Sequence, residues 1–340
     1  MTDEDTMIQK IKKYIIHIQS NLLQKGIIKP KLRQLNIFVT NRCNFSCFYC
    51  NRNVNDKLLG VSYKYKNGSD FKFDDLILLL NKYPTITRVS FVGIGEPFLN
   101  KDLLLMAQYA KMNGKYTSVI TNGSLLHQFW GEIGKSFDSI SISLHGLSPI
   151  ELHIIAGVKE QIFQQFSENI QYLCFKEKKQ YPHLSIRASV VMLKNNLSRV
   201  RSAANFCVEN SITELDIQNF LPVDLNDSNN CVFDDEPQYK NFINELIEDY
   251  TGTLKINSPT LIKRDKKNLS WNCTTFFNTL RVDGLGQVCG CCRIMIPKAE
   301  NGNIHYDSDV WNNTYFIQMR EKFWYPNRLP ECCRFCPDSQ

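Results

Sequence analysis

Three cysteines stand close together in the segment CNFSCFYC, at positions 43, 47 and 50, with aromatic residues between them. Thiolates at this spacing can bind three irons of a four-iron cluster and leave the fourth iron open to a ligand from outside the protein. An open position of this kind is typical of catalytic metal sites. A zinc site or a chance grouping is the alternative, but the segment lacks the second pair of ligands that a structural zinc site needs nearby.

The thirteen cysteines of the chain are clustered rather than spread evenly. A second group lies in the C-terminal part: Cys273, Cys289, Cys291, Cys292, Cys332, Cys333 and Cys336. The first ten residues, MTDEDTMIQK, are acidic and polar, so we expect no secretory signal and a cytoplasmic, reducing compartment. Clustered cysteines in such a compartment favour metal or catalytic roles over a disulfide framework.

The composition is that of an ordinary globular protein. The chain has 340 residues, 43% of them hydrophobic, which indicates about two domains. Its net charge of +6 is a mild excess that does not argue for a nucleic-acid partner. No uncharged apolar run approaches the length needed to cross a bilayer, so no membrane association is expected.

Six apolar or β-branched runs alternate with helical patterns between residues 35 and 220. Strands are predicted at 35–40, 88–93, 116–121, 139–144, 184–192 and 214–220, and helices at 73–83, 103–114, 125–134, 161–180 and 197–210. Alternating β and α units imply a parallel sheet with right-handed crossovers, and six units are too few for a closed eight-stranded barrel. We therefore predict an α/β fold, a partial (β/α)6 TIM-like barrel with its chemistry at the carboxyl ends of the strands.

The remaining segments complete the predicted organisation. An amphipathic helix at 8–22 makes up most of an N-terminal segment, 1–34, and the barrel core spans 35–223. A linker and a helix follow at 224–260, with Cys231 as an incidental thiol. The C-terminal domain, 261–340, is expected to contain a small β-hairpin around Asp283-Gly284.

The segments that follow the predicted strands resemble those of the radical S-adenosylmethionine (radical SAM) superfamily, in the same order. CNFSCFYC is similar to its C-x3-C-x2-C signature, and GIGEP at 93–97 to its Gly-Gly-Glu-Pro motif with Ile94 as an extra residue. ITNG and SISLHG stand where the family shows them. The resemblance implies a 4Fe-4S cluster on Cys43, Cys47 and Cys50. It also implies S-adenosylmethionine as cofactor, cleaved reductively to a 5′-deoxyadenosyl radical that abstracts a hydrogen from the substrate.

The same resemblance implies residues that bind S-adenosylmethionine: Gly93, Gly95, Glu96, Ser143 and Arg187. The GIGEP segment would hold the methionine amino group, Ser143 the ribose, and Arg187 the methionine carboxylate. For each of them the alternative is a structural polar residue at a strand end. His145 stands where the family usually has Asp; a position facing the substrate is one interpretation, and a loop residue is the one we expect.

The C-terminal cysteines resemble the SPASM/Twitch extension of the superfamily. Gly286 lies between Cys273 and Cys291, and GNI at 302–304 with Trp311 is similar to the SPASM segment GNI…W. The shorter Twitch form is the better match, and it implies an auxiliary 4Fe-4S cluster on Cys273, Cys291, Cys333 and Cys336. Cys289 or Cys292 could replace Cys291, and Cys332 could replace Cys333. A four-cysteine zinc site is the alternative.

The resemblance therefore implies a radical SAM oxidoreductase or epimerase with two 4Fe-4S clusters. Its expected substrate is a small molecule (carbohydrate or aminocyclitol) or a peptide. The auxiliary cluster would transfer electrons in a dehydrogenation, a cross-linking or an epimerisation, and the electron donor would be a flavodoxin or a ferredoxin. The alternative from another class is a non-enzymatic scaffold protein that binds zinc or an iron–sulfur cluster.

Overall fold

The structure is a computed structural model that describes residues 30–50, 69–220, 229–263, 273–291, 298–323, 333 and 336. The helix predicted at 8–22 lies outside the described residues, as do Cys292 and Cys332. Within the described ranges, no helix is long and apolar enough to cross a bilayer.

Nine strands form a sheet in the order β7-β6-β5-β4-β3-β2-β1-β8-β9. They are β1 Gln34–Phe38, β2 Arg88–Val92, β3 Tyr116–Thr121, β4 Ser139–Ser143, β5 Ser185–Met192, β6 Glu214–Asn219, β7 Lys255–Asn257, β8 Thr279–Val282 and β9 Val288–Cys289. All neighbours pair in parallel except β8 and β9, which are antiparallel. The sheet stays open between β7 and β9, which confirms the predicted α/β partial barrel.

Helices follow most of the parallel strands, as alternating units require. They are α1 Phe73–Lys82, α2 Leu103–Met112, α3 Ile133–Ser136, α4 Pro149–Ala156, α5 Gln161–Tyr172, α6 Lys178–Gln180, α7 Leu197–Glu209, α8 Pro237–Asp249, α9 Thr275–Asn278 and α10 Thr314–Lys322. A π-helical turn, Leu173–Glu177, joins α5 to α6, so the helix predicted at 161–180 is continuous. The helix predicted at 125–134 was wrong: a 3-10 turn at Leu126–Phe129 and the short α3 take its place.

Helix α4 was not predicted, although its start carries a clear signal. Ser148 caps it by accepting a hydrogen bond from the Glu151 backbone N–H at 3.2 Å, and Pro149 occupies the first turn. The Glu151 carboxylate in turn accepts from the Leu147 N–H at 2.9 Å. Ser and Glu at this spacing form a capping box, and Gly157 ends the helix at φ +66°. The segment SPIE therefore encodes the start of α4.

The sheet has one apolar and one polar face. Alternate residues such as Leu35, Val89 and Val119 are buried in the main hydrophobic core beneath the helices. The intervening residues face the other side, and they include Asn36, Ser90, Ser118, Ser141 and Ser189. The Ser118 hydroxyl donates to the Ser90 hydroxyl at 2.9 Å. We call this second side the inner face, and it is lined mainly by small polar groups.

The predicted hairpin around Asp283-Gly284 is present and extends the sheet. Strand β8 pairs with β1 from Gln34 opposite Thr279 to Ile37 opposite Val282. The Asp283 carboxylate closes the turn by accepting from two backbone N–H groups at 2.9 Å. Because β8 and β9 continue the barrel sheet past β1, the C-terminal segment packs on the barrel through backbone hydrogen bonds. The domain boundaries expected from the sequence stay a prediction.

Candidate active site

The carboxyl ends of β1, β2, β3 and β4 meet at one edge of the sheet and surround a cavity of about 210 Å³. Its walls include Cys43, Cys47, Cys50, Gly93, Ile94, Gly95, Glu96, Asn122, Ser143 and His145. Parallel strands bring their ends together in this way, so four segments far apart in the sequence share one cavity. Of the residues predicted for the first cluster and its cofactor, all but Arg187 line this cavity.

The three-cysteine loop is held in place by the end of α4. The Ser46 N–H donates to Ala156 O at 2.8 Å, and the Phe48 N–H to Ile155 O at 3.1 Å. Cys47 is buried, and burial together with the neighbouring Cys50 and Cys43 raises its pKa to about 12. The three thiols therefore cannot all ionise together without a cation beside them. A bound metal supplies that charge, because metal ligation deprotonates thiols.

The donor set fits an iron–sulfur cluster, since thiolates are its usual ligands. Within the described ranges, however, no three His, Cys, Asp or Glu side chains are gathered around a point where they could hold a metal ion. The ligand assignments at both cysteine groups therefore stay predictions.

Gly95 lets the GIGEP loop lie directly against the segment that precedes Cys43. Its N–H donates to Thr40 O at 3.2 Å, and the Glu96 N–H donates to Arg42 O at 2.8 Å. A Cβ atom at Gly95 would lie 2.1 Å from Arg42 O and 2.7 Å from Thr40 O. Glycine is therefore required at position 95 because the backbone of residues 40–42 lies so close to it. A bound cofactor could impose the same requirement in addition.

Glu96 is 2% exposed and connects the loops after β2 and β3. Its carboxylate accepts from the Thr121 hydroxyl at 2.7 Å, from the Asn122 N–H at 2.8 Å and from the Phe98 N–H at 3.2 Å. Burial raises its pKa to about 7, against the opposing effect of these hydrogen bonds. The side chain fixes the shape of the cavity wall.

A chain of amide and hydroxyl groups extends this connection to the cysteine loop. The Asn122 side chain donates to Asn44 Oδ1 at 2.9 Å, and Asn44 Nδ2 donates to the Ser124 hydroxyl at 2.8 Å. Ser124 donates back to Asn122 Oδ1 at 2.7 Å. The loops after β1, β2 and β3 are thus joined by side-chain hydrogen bonds into one wall.

Ser143 and Arg187 are placed differently from one another. Ser143 ends β4 and lines the cavity. Arg187 lies near the start of β5, and its Nη2 donates to Asp216 at 2.8 Å and to Glu214 at 3.2 Å. Because Arg187 does not line the cavity and its guanidinium is engaged by two carboxylates, the geometry lends no support to Arg187 as the partner of a cofactor carboxylate.

His145 contributes to the site, contrary to our expectation of a loop residue. Its Nδ1 lies 2.7 Å from the Tyr49 hydroxyl and 3.6 Å from Cys47 Sγ, and the ring meets Phe45 edge-on. Burial, and then the nearby cation of Arg199, lower the pKa of His145 to about 4. The sequence signal was its position directly after β4, where the other strand ends supply cavity residues.

The described cysteines of the C-terminal group differ in their surroundings. Cys273 and Cys291 contact the main hydrophobic core, whereas Cys289 is fully buried against Phe38 and Ile94. Cys289 thus packs against Ile94, which lines the cavity, and the choice between Cys289 and Cys291 as the ligand stays a prediction. The Cys336 N–H donates to Cys333 O at 3.2 Å, a turn that suits a C-x2-C pair.

A comparison of the sequence with models of protein families identifies the family. The family model described as the Radical SAM superfamily matches residues 37–207, which is half of the chain and runs from β1 into α7. The chain therefore belongs to the radical SAM superfamily. This confirms the identification made from the strand-end segments.

Three curated proteins illustrate its relatives. The chain is 27% identical over 209 residues to the probable GTP 3′,8-cyclase of Sulfolobus acidocaldarius, which covers 59% of this chain and 60% of that protein. It is 22% identical over 339 residues to the tungsten-containing aldehyde ferredoxin oxidoreductase cofactor-modifying protein of Pyrococcus furiosus, with 89% of each covered. The S-adenosylmethionine-dependent nucleotide dehydratase of Selenomonas ruminantium is 25% identical over 169 residues, 48% of this chain and 57% of that protein. The chain thus spans about 60% of the length of the first of these relatives.

Solved structures show the same fold. SuiB of Streptococcus suis has a TM-score of 0.67 at 17% identity, covering 95% of this chain and 74% of SuiB. The enzyme anSMEcpe with bound AdoMet has a TM-score of 0.64 at 16% identity, covering 91% and 85%. The chain therefore shares the overall fold of SuiB and anSMEcpe.

Proposed function

We propose that the cavity holds a 4Fe-4S cluster on Cys43, Cys47 and Cys50 with S-adenosylmethionine beside it, and that the enzyme abstracts a hydrogen from a polar substrate. The observation that carries this proposal is the meeting of three thiols, the GIGEP loop and Ser143 in one cavity. When bound, the cluster and cofactor supply an electron and a 5′-deoxyadenosyl radical. The residues of this chain position both groups and exclude water from them.

Each part of the wall has a separate task in this proposal. The loop at 93–97, fixed by Glu96, offers its backbone carbonyl groups to the cofactor amino group. Ser143 offers its hydroxyl to the ribose. Tyr49 and His145, buried beside Cys47, shield the cluster face and limit solvent access. Arg187 is retained only as the prediction with the weakest geometric support.

We further propose an auxiliary 4Fe-4S cluster on Cys273, Cys291, Cys333 and Cys336. Four protein ligands close such a cluster, and a closed cluster suits electron transfer better than substrate binding. It would serve as the electron-transfer group in a dehydrogenation, a cross-linking or an epimerisation. A cytoplasmic flavodoxin or ferredoxin would supply the first electron.

The inner face of the sheet favours a polar substrate. Ser90, Ser118, Ser141 and Ser189 place hydroxyl groups on that face below the cavity. Hydroxyls suit a hydroxylated small molecule or a short peptide. SuiB has been solved with a precursor peptide, and two relatives are named for nucleotide chemistry. Peptides, aminocyclitols and nucleotides are therefore the substrate classes to test.

Metal analysis of anaerobically reconstituted protein tests the proposal. We expect about eight irons per chain, falling to about four in Cys43→Ala/Cys47→Ala/Cys50→Ala. Only the protein with the three cysteines intact should show an electron paramagnetic resonance (EPR) signal that changes on addition of S-adenosylmethionine. Only that protein should release 5′-deoxyadenosine when dithionite is added. Cys174→Ala/Cys207→Ala, which removes two buried helical cysteines outside the site, is the matched control. Zinc in place of iron, or equal iron in the triple variant, would leave the scaffold alternative.

A further inference from the structure

Arg199 of α7 carries a buried positive charge at the mouth of the barrel. Its side chain is 8% exposed. The guanidinium joins two neighbouring strand ends: Nη1 donates to His145 O after β4 at 3.0 Å, and Nη2 to Val191 O on β5 at 3.3 Å. Nε is buried and has no hydrogen-bond partner. Both hydrogen-bond acceptors of this arginine among the described residues are therefore neutral carbonyl groups.

Three other arginines among the described residues pair with carboxylates, whereas the buried Arg281 and Arg320, like Arg199, form no ion pair there. Arg42 pairs with Asp70, Arg187 with Glu214 and Asp216, and the exposed Arg201 with Asp249. The ion pairs found among the described residues include none for Arg199. A guanidinium stays charged in proteins, and burying a charge without a counter-ion is unfavourable. The folded chain therefore holds an excess positive charge at this point.

The groups around Arg199 lead directly to the three-cysteine loop. His145, whose carbonyl accepts from Arg199, places its ring 3.6 Å from Cys47 Sγ. The same ring touches the Tyr49 hydroxyl at 2.7 Å. Contacts of His145 thus connect the arginine to a ligand of the proposed cluster and to the neighbouring Tyr49.

The cysteine loop, which the His145 ring contacts at Cys47, becomes anionic when it carries out its proposed role. Three thiolates on a four-iron cluster give an assembly with a net negative charge, and reduction adds one more negative charge. We propose that Arg199 is the buried counter-cation of the cluster on Cys43, Cys47 and Cys50, and that its charge stabilises the reduced form of that cluster. This inference rests on the proposed function, because it requires the cluster to be present.

An EPR-monitored redox titration of the anaerobically reconstituted full chain tests the inference. In Arg199→Gln, loss of the cation disfavours the added electron, so the potential of the first cluster should become more negative. Arg199→Lys keeps the charge, and its potential should stay close to that of the unchanged protein. Arg201→Gln lies on the same helix and removes an exposed charge, so it should leave the potential unchanged. An unchanged potential in Arg199→Gln, or an equal negative shift in Arg199→Lys, would overturn the inference.

A second measurement distinguishes an electrostatic role of Arg199 from a purely structural role in which its side chain joins β4 to β5. The gain in melting temperature on cluster loading should be smaller in Arg199→Gln than in the unchanged protein. A bridging role alone would lower the apo and loaded melting temperatures by equal amounts, and that result would overturn the inference. If Arg199→Gln fails to fold, the same measurement is made on Arg199→Lys. A gain in melting temperature on cluster loading equal to that of the unchanged protein supports the role of the charge, and a smaller gain contradicts it.

Two further outcomes distinguish a failure of this inference from a failure of the proposed function. If the triple cysteine variant retains as much iron as the unchanged protein, the cluster site itself is wrong. If that variant loses its iron but Arg199→Gln titrates like the unchanged protein, only the role of Arg199 is wrong. A shift seen only with S-adenosylmethionine present would assign the arginine to the cofactor carboxylate and would also overturn the inference.

Discussion

At the scale of single residues, the site is made by buried polar groups that hold loops together. Glu96, Asn122 and Asn44 connect three strand-end segments through their side chains. A buried carboxylate is costly unless it is hydrogen-bonded, and Glu96 accepts three hydrogen bonds. The acidic residue of GIGEP is therefore a structural requirement of the cavity as well as part of its wall.

The raised pKa of Glu96 predicts a pH-dependent stability. Its pKa is about 7 in the folded chain, against an ordinary value of 4.5, so the folded state binds the proton more tightly. The stabilisation is fully present below pH 4.5 and is lost as the pH rises through 7, an effect of about 3 kcal/mol. Urea unfolding of the apo protein between pH 5 and 8 should show this slope, and Glu96→Gln should flatten it.

The exposed Glu168 provides the control for that experiment. Glu168→Gln should leave the slope of the free energy of unfolding against pH unchanged. A slope that persists in Glu96→Gln would show that other groups cause it.

At the scale of elements, a short helix supports the cysteine loop. The last residues of α4 accept hydrogen bonds from Ser46 and Phe48, and Ser148 with Glu151 fixes its first turn. The position of the cysteines thus depends on a helix that begins about a hundred residues later in the chain. Strands that alternate in polarity could be predicted from their residues, whereas this support depends on contacts between distant segments.

Removing the cap of α4 should therefore loosen the cysteine loop. Ser148→Ala removes the side-chain acceptor for Glu151 N–H and should cost about 1 kcal/mol. Because α4 would fray toward its connection with the loop, amide exchange at Ser46 and Phe48 should accelerate in hydrogen-exchange mass spectrometry.

Asn313, which caps α10 by accepting from Phe316 N–H, gives a matched control. Asn313→Ala should cost a similar free energy but leave exchange at the cysteine loop unchanged. Equal protection of the loop in Ser148→Ala would mean that α4 does not hold it.

Sequence reasoning predicted the six central strands because each buries alternate apolar residues under a helix. It also predicted the residues of the cavity that carry recognisable chemistry, namely the cysteines and GIGEP. It did not place Arg199, since a single arginine in a predicted helix is indistinguishable from a solvated one. Strand β7 is only three residues long, and nothing local shows that β8 pairs with β1, because that pairing is set by the whole sheet.

At the scale of the whole molecule, the C-terminal hairpin and the barrel share one sheet and one core. Leu280 of β8 is fully buried in the same cluster as Leu35 of β1 and Val89 of β2. Phe276 and Phe316 belong to this cluster too, so α9 and α10 are packed into it. We therefore expect the described parts of the chain to unfold cooperatively.

Leu280→Ala tests this cooperativity. The substitution should cost about 2–5 kcal/mol, because it leaves a cavity in a close-packed core. Native-state hydrogen exchange should then show an equal loss of protection in β2 and β3, which do not touch β8, and in α10. A loss confined to α9, α10 and the hairpin would mean that the two parts unfold independently.

The pairing of β1 with β8 also has a consequence for synthesis on the ribosome. Strand β1 is translated well before its second neighbour, β8, which begins only at Thr279. Until then the nascent barrel exposes a row of unpaired backbone groups along β1, and open strand edges invite intermolecular pairing. Ribosomes that stall or terminate before β8 would therefore release chains prone to aggregate, and the late-translated β8 would protect the edge of the early-translated β1.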